Sequence, residues 1–456
     1  MIKYVICALI LAVLGLLFLG CSFRNKHFNP PIDHDAPYTL LVPQVDDYGR
    51  FWKADEAQKA LDVVSEESRD TNVFVLLFAH GWHHNARQGD ENLDSFKMTL
   101  SALDERLKGK MYADSRKLLT GTDKFKVVGI YVGWRGRSMP GILDYTTIWG
   151  RKEAAERVGS GDLREFILRL QSIYQERNSV ANGPFLGLVL TGHSLGGQVL
   201  LKATAETIER NLIKETHGLA SINDSEKITP ESPIEGIGDL TVLLNPALES
   251  GQFERISELN SRLVCKNFQT PVMLVVSGEG DGARQIAFPI SRVVTNPFGP
   301  VLKPEQRPLW YKALGEYEPQ RTHSLTETSA PNSLTETSYL DIDTVMNTDF
   351  AAPITLGAGT LNGKAVAGGF LEPLEKDRGK IYSPIVVAYT SSKLIQGHSG
   401  IFTEQFSGFL TDYVAFIEGK RMLLRRIRGG ADAQGAGLSV KPAASLSSPA
   451  GIRENH

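Results

Sequence analysis

The chain has very little cysteine, with only Cys7, Cys21 and Cys265 among its 456 residues. Cys7 lies within a hydrophobic N-terminal segment and Cys21 lies at its end, so Cys265 is the single cysteine of the body. A disulfide framework within one mature chain is therefore excluded, even in an oxidising compartment. The body must be stabilised by a sizeable apolar core, which a chain with 42% hydrophobic residues can build.

The chain also lacks a charge excess of either sign. Its formal net charge is −3 and it contains no long run of like charges. Nucleic-acid binding usually requires a basic face, and a polybasic membrane patch requires clustered lysine and arginine. The charge pattern therefore favours neither, and we expect no nucleic-acid partner.

The N terminus carries the one long hydrophobic run, in "MIKYVICALILAVLGLLFLGCSF". Lys3 precedes an apolar stretch and Gly20 precedes Cys21, a pattern typical of a secretory signal. The Gly20-Cys21 pair resembles the bacterial lipobox, in which the cysteine is diacylated and becomes the new N terminus. We predict a lipoprotein signal over 1–20, with Cys21 lipidated.

Two alternatives to the lipoprotein signal stay open. The segment could be an uncleaved membrane anchor, although it is shorter than the roughly 20 residues that span a bilayer, or a signal for simple secretion. All three place the rest of the chain outside the cytoplasm. The prediction is a membrane-anchored protein of the cell envelope that faces the periplasm or the exterior.

The remainder predicts a tether over 21–37, one domain over 38–425 and a disordered tail over 426–456. Within the domain, short continuous apolar runs alternate with segments of helical period. Such runs are typical of strands buried on both faces, and the alternation predicts an α/β fold with a mostly parallel central sheet and helices on both faces. The predicted strands lie in YTLLVPQ, NVFVLLFAHGW, FKVVGIYVGW, FLGLVLTG, DLTVLLNPA, PVMLVVSGEGD and SPIVVAYTSS.

A long segment without clear periodicity precedes the last of these strands. It contains Ser-Leu-Thr-Glu-Thr-Ser twice, at 324–329 and 333–338. Two copies could not stack a core, so this is a local duplication rather than a solenoid. We expect a cap-like insertion at about 295–380 that passes over the carboxyl edge of the sheet.

A candidate nucleophile lies in "LTGHSLGGQVLLKA", where Ser194 stands between Gly192 and Gly196. A predicted strand precedes it and a predicted helix follows it, which is the context of a nucleophile elbow. The glycines would keep the neighbouring backbone clear of the sharp bend. The alternative is a serine in a glycine-rich turn of a non-catalytic α/β protein.

A serine needs a base to take its proton, and His398 is the candidate because it follows a predicted strand in a short loop before a helix. The acid that orients the base should follow another strand, between the serine and the histidine in the chain. Asp281, among the glycines of "SGEGDGA", fits that position. Glu279 and Glu249 also follow strands and remain alternatives.

An acyl-transfer reaction also needs donors for the oxyanion. The backbone N–H groups of Leu195, directly after the nucleophile, and of Trp82, in "FAHGWHHNA", are the candidates for this oxyanion hole. The neighbouring histidines suggest a metal site, but no His-Glu-x-x-His pattern surrounds them. We expect neither a metal nor a cofactor.

Three features of the sequence together resemble the α/β-hydrolase fold. They are the order Ser194, Asp281, His398 along the chain, the "HGW" after an early strand and the "GHSLGG" at the elbow. The sequence also looks like a group of bacterial esterase- or lipase-type hydrolases in three segments, "VDDYGRFW", "VFVLLFAHGWHHNA" and "VGIYVGWRGRS". The resemblance covers about 38–420. It implies a serine hydrolase that cleaves carboxylic esters, of a small molecule or a lipid, without a cofactor.

Two other functions use the same residues differently. An acyltransferase would employ the same three side chains but exclude water, and a binding lipoprotein would keep the scaffold without catalysis. The complete set of serine, acid, base and oxyanion loop favours an enzyme. Neither the acyl chain length nor the oligomeric state follows from the sequence.

Overall fold

The computed structural model of the chain describes most of residues 26–431. The described ranges are 26–29, 36–138, 144, 147–180, 183–216, 227–266, 268–281, 303–304, 307–330, 354–356, 359–361, 364–374 and 383–431. The predicted signal over 1–20 and Cys21 lie outside these residues, as does the second copy of the duplication.

The described part of the chain forms an α/β structure around one ten-stranded sheet, in the spatial order β1-β3-β2-β4-β5-β6-β12-β7-β11-β8. Every neighbouring pair from β1 to β7 is parallel. The α/β class and the mostly parallel sheet predicted from the sequence are therefore confirmed. The strands are β1 Tyr38–Leu41, β2 Asn72–Ala79, β3 Phe125–Val132, β4 Leu186–His193, β5 Leu240–Leu244, β6 Met273–Gly278, β7 His323–Thr328, β8 Ile354–Leu356, β9 Gly359–Leu361, β10 Lys364–Val366, β11 Gly368–Pro373 and β12 Ile385–Thr390.

The central strands are apolar throughout because both of their faces are covered. In β2, Val75 and Leu77 alternate with Phe74 and Phe78 along the strand, and the two sets pack into separate cores. All four side chains are at most 2% exposed. This alternation places one core on each face of the sheet.

Helices form the outer layers, as the sequence predicts. They are α1 Ala54–Glu67, α2 Glu91–Lys108, α3 Lys110–Thr120, α4 Ile148–Ser160, α5 Asp162–Asn178, α6 Leu195–Thr216, α7 Glu254–Ser261, α8 Arg307–Tyr311 and α9 Glu404–Ala431. The buried sides of α1, α4, α5, α6 and α7 contribute to the core on one face. The buried sides of α2 and α9 pack into the core on the other face, where α3 joins them. No helix among the described residues is long and apolar enough to cross a membrane.

The predicted insertion differs from the expectation in its described parts. Its strand β7 pairs in parallel with β12, and β11 and β8 follow as antiparallel neighbours. These strands extend the sheet sideways instead of passing over its carboxyl edge. The reason is that the apolar side chains of Leu325 and Leu371 are buried in the core that α9 also lines. Strands β9 and β10 form a separate two-stranded ribbon.

Two boundaries also differ from the sequence prediction. Helix α9 continues to Ala431, so the first residues of the predicted tail over 426–456 are helical. Part of the predicted tether contacts the body, because the backbone N–H of Phe28 donates to the side-chain oxygen of Gln44 at 2.9 Å. The domain is therefore longer at both ends than the apolar pattern indicates.

The duplication permits a test of the role of β7. Deleting 324–332 joins His323 to the second copy, so the new sequence again reads His-Ser-Leu-Thr-Glu-Thr. We expect the shortened chain to fold, with a melting temperature close to that of the parent by circular dichroism. Leu325→Ala is the matched control and should cost about 2 to 5 kcal/mol, as buried leucine truncations do. Loss of soluble shortened protein would contradict this account.

Candidate active site

The backbone makes a sharp turn at Ser194, between the end of β4 and the start of α6. Ser194 has a φ of +56°, and it is one of three non-glycine residues with positive φ in the described chain. Its N–H donates to the carbonyl of Leu244 at 3.0 Å, and its own carbonyl accepts the N–H of Ala247 at 3.0 Å. The end of β5 and the loop after it thus hold the serine in a backbone conformation that is costly for a residue with a Cβ.

Two glycines beside Ser194 are required by close backbone contacts. A Cβ on Gly192 would overlap the carbonyl of Gly196, and a Cβ on Gly196 would overlap the carbonyl of Ala79 at the end of β2. Neither obstacle is the flexible end of a side chain, so neither can move aside cheaply. The glycines that the sequence suggested for this turn are therefore needed for steric reasons.

The structure brings Ser194 and His398 together, although they are separated by 204 positions in the chain. The Ser194 hydroxyl lies 2.6 Å from His398 Nε2, at the distance of a short hydrogen bond. Ser194 is only 4% exposed, whereas the His398 side chain is 26% exposed. Solvent therefore reaches the imidazole more readily than it reaches the serine.

Asp281 is the carboxylate that meets the histidine. His398 Nδ1 lies 2.7 Å from Asp281 Oδ2, and Asp281 is fully buried. The two sequence alternatives lie elsewhere: Glu249 forms a buried ion pair with Lys152, and Glu279 is exposed. A proton on Nδ1 leaves Nε2 free to accept the Ser194 hydroxyl hydrogen, which is the tautomer that a base needs.

Two residues that the sequence analysis missed fix the backbone of His398. Asn245 Nδ2 donates to the His398 carbonyl at 2.9 Å, and His193 Nε2 donates to the same carbonyl at 2.9 Å. Asn245 Oδ1 also accepts the N–H of Gly278 at 2.8 Å, three residues before Asp281. Asn245 therefore connects the loop of the histidine with the strand end that carries the acid.

The loop after β2 passes directly beside the serine. A Cβ on Gly81 would lie 2.8 Å from the Cβ of Ser194, so the loop that carries Trp82 is in contact with the elbow. Leu195 is the first residue of α6, where backbone N–H groups lack an intrahelical acceptor. Leu195 directly follows Ser194 and Trp82 directly follows Gly81, so both predicted oxyanion donors belong to segments that touch the serine. The positive end of the α6 dipole points toward Ser194.

The three histidines of this loop all have hydrogen-bond partners. His80 donates through Nδ1 to the Gly81 carbonyl at 2.9 Å and stacks on Trp134, with ring centroids 5.4 Å apart. His83 lies 2.6 Å from an oxygen of Asp144, and His84 lies 3.1 Å from an oxygen of Asp90. Among the described residues there is no group of three or more side chains that could hold a metal ion. These histidines fix the shape of the loop.

Burial keeps two histidines near the site neutral. Desolvation lowers the pKa of His193 to about 3, with the nearby His398 as a further cause, and lowers the pKa of His80 to about 4. Both side chains are at most 2% exposed. A neutral His193 keeps positive charge away from the imidazole of His398, which must itself accept a proton if it acts as a base.

Comparison of the chain with known protein families, with curated proteins and with solved structures found no match. The interpretation of this site therefore depends on its geometry and chemistry.

The lowered pKa of His80 predicts an acid-dependent loss of stability. Below the unfolded-state value of 6.5, the unfolded chain binds a proton that the folded chain does not bind until about pH 4. Stability should therefore fall as the pH drops from 6.5 toward 4.5. His80→Gln should be less stable at pH 7.5 but should lose less on acidification, as measured by chemical denaturation. An unchanged pH slope in this variant would contradict the assignment.

Proposed function

We propose that this chain is a serine hydrolase of the α/β-hydrolase fold that cleaves carboxylic esters through an acyl-enzyme intermediate. The observation that carries the proposal is the continuous contact of Ser194, His398 and Asp281 at the carboxyl ends of parallel strands. Ligands of open α/β sheets bind at this edge. The order of the three residues along the chain, serine then acid then histidine, is the order found in that fold.

The geometry supports a specific first step. His398 Nε2 takes the proton of Ser194 as the serine oxygen attacks the ester carbonyl carbon, so the oxygen does not carry a full charge alone. Asp281 accepts a hydrogen bond from Nδ1 and stabilises the imidazolium that forms. Because Asp281 is fully buried, its charge acts on the histidine with little screening by water.

The next steps use the elbow and the loop beside it. The backbone N–H groups of Leu195 and Trp82 donate to the oxyanion of the tetrahedral intermediate. The imidazolium of His398 then protonates the leaving alcohol, and the acyl group remains on Ser194. Water activated by the same histidine releases the acid and restores the enzyme.

The proposed location is the outer side of a membrane, with the body attached through a diacylated Cys21. The Gly20-Cys21 pair after the hydrophobic segment supports this part of the proposal. A lipidated cysteine would replace a transmembrane helix as the anchor.

The three roles can be separated by substitution. Ser194→Ala should lower the turnover of a p-nitrophenyl ester on the order of 10⁶-fold, and His398→Ala should cost nearly as much. Asp281→Asn should lower turnover on the order of 10⁴-fold, because it leaves the base present but favours the wrong tautomer. Steady-state hydrolysis with a panel of esters of increasing acyl length measures all three.

Glu279→Gln is the matched control for the acid, since Glu279 is an exposed carboxylate two residues before Asp281. It should retain the parent's turnover. If Ser194→Ala hydrolyses esters at the parent's rate, the proposal fails. If Asp281→Asn keeps full activity while a glutamate variant loses it, only the choice of acid is wrong.

Lipidation predicts that the protein expressed in a bacterial host incorporates radioactive palmitate. Cys21→Ser should abolish this label, because the cysteine of the described part of the chain, Cys265, is only 5% exposed. Cys265→Ser should leave the label unchanged and serves as the control. Label that survives in Cys21→Ser would refute lipidation at this residue.

A further inference from the structure

The chain just after the predicted anchor is attached to the body. Phe28 forms two hydrogen bonds with the side chain of Gln44, donating to its oxygen at 2.9 Å and accepting from its nitrogen at 2.7 Å. His27 Nε2 lies 2.8 Å from a carboxylate oxygen of Glu56 at the start of α1. The segment over 26–29 is thus held at a defined place on the domain.

This attachment limits how far the body can lie from a membrane. Lys26 is the fifth residue after Cys21, and a fully extended chain spans at most about 3.6 Å per residue. A lipid on Cys21 would therefore keep Lys26 within about 18 Å of the point where the lipid enters the bilayer. The surface around Gln44, to which Phe28 is bonded, is then held close to the membrane.

That surface carries two exposed aromatic side chains, Tyr48 and Trp52, on a loop over 46–53 that we call the aromatic loop. Tyr48 is 81% exposed and Trp52 is 39% exposed. The N–H of Trp52 donates to the carbonyl of Gln44 at 2.9 Å, so this loop and the segment over 26–29 share one residue as their support. Tyrosine and tryptophan are the side chains most enriched at membrane–water interfaces.

The aromatic loop is held in shape by its own contacts. Asp46 accepts the N–H groups of Tyr48 and Arg50, at 2.8 and 2.9 Å. Asp47 pairs with Arg151 at 2.7 Å. Because the backbone of the loop is fixed, little conformational entropy of the loop would be lost when its aromatic side chains enter a membrane–water interface.

The basic groups of the aromatic loop already have acidic partners. Arg50 lies 3.2 Å from a carboxylate oxygen of Asp162, and Lys53 lies 3.0 Å from one of Glu56. The loop therefore offers a membrane little net positive charge. Insertion would depend on its aromatic side chains and not on anionic lipid.

The aromatic loop lies at the same edge of the sheet as Ser194. Gln44 pairs in parallel with Gly133, just beyond the carboxyl end of β3. Strands β1, β3, β2 and β4 are neighbours in that order and run in parallel. A bilayer in contact with Tyr48 would therefore face the edge that carries the candidate active site.

We propose that the aromatic loop inserts into the headgroup region of the membrane that holds Cys21, so that the enzyme takes its ester substrate from the bilayer. The substrate class is then a lipid ester, delivered from the membrane surface to Ser194. This inference rests on the hydrolase function and the lipid anchor proposed above. It adds the orientation of the body and the source of the substrate.

Fluorescence on the full-length lipidated protein in phosphatidylcholine vesicles tests the orientation. An environment-sensitive fluorophore on Tyr48→Cys should shift to shorter wavelength and be quenched by spin-labelled lipid. The control is Val180→Cys, because Val180 is 57% exposed beside the amino end of β4, at the opposite edge. Its fluorophore should stay accessible to aqueous iodide. Equal iodide quenching at both positions would overturn the proposal.

Activity on two substrates tests the source of the ester. Tyr48→Ala combined with Trp52→Ala should reduce hydrolysis of a vesicle-embedded ester about tenfold, the effect of about 1.4 kcal/mol of lost interaction, and leave a soluble p-nitrophenyl ester unaffected. Adding anionic lipid should change neither result. Equal rates of parent and variant on vesicles, or equal losses on both substrates, would refute the proposal. Inactivity of the parent on every ester would refute the hydrolase function instead, while the fluorescence result would still stand.

Discussion

The hydrogen bonds that hold Ser194 at φ +56° are the constraint on which the rest of the site depends. A non-glycine residue adopts this region only when its surroundings over-determine it. Here Leu244, at the end of β5, accepts the N–H of the serine, and Ala247, in the loop after β5, donates to its carbonyl. The glycines at 192 and 196 let β2 and α6 approach the serine closely. The same turn points the N terminus of α6 at the serine, so one local conformation supplies both the hydroxyl and the positive end of a helix dipole.

The histidine of the site is held through its backbone as well as through its side chain. Asn245 and His193 both donate to the carbonyl of His398, while its imidazole contacts only Ser194 and Asp281 among the hydrogen bonds of the described residues. A fixed carbonyl and a partly exposed ring suit a group that must accept and deliver protons without losing its position. Asn245 also bonds the end of β6, so the positions of the base and the acid depend on one amide side chain.

Most of the fold could be predicted from the sequence because continuous apolar strands and periodic helices report burial directly. Strand order favours Asp281 as the acid, and the structure places it against His398. The sequence could not exclude Glu249, because its ion pair joins it to Lys152, 97 positions away in the chain. His193 and Asn245 were missed for a different reason: their partner is a backbone carbonyl, which leaves no mark on the sequence. Strands such as β8 and β11 are too short and too irregularly apolar to be recognised before their neighbours are known.

The central claim is that the hydroxyl of Ser194 is a nucleophile activated by His398. The most direct measurement is the mass of the intact protein after incubation with diisopropyl fluorophosphate, followed by peptide mapping. The account predicts one adduct per chain, on the peptide that contains Ser194, and no adduct in His398→Ala under the same conditions. An unmodified parent protein, or an adduct on a different serine, would contradict it.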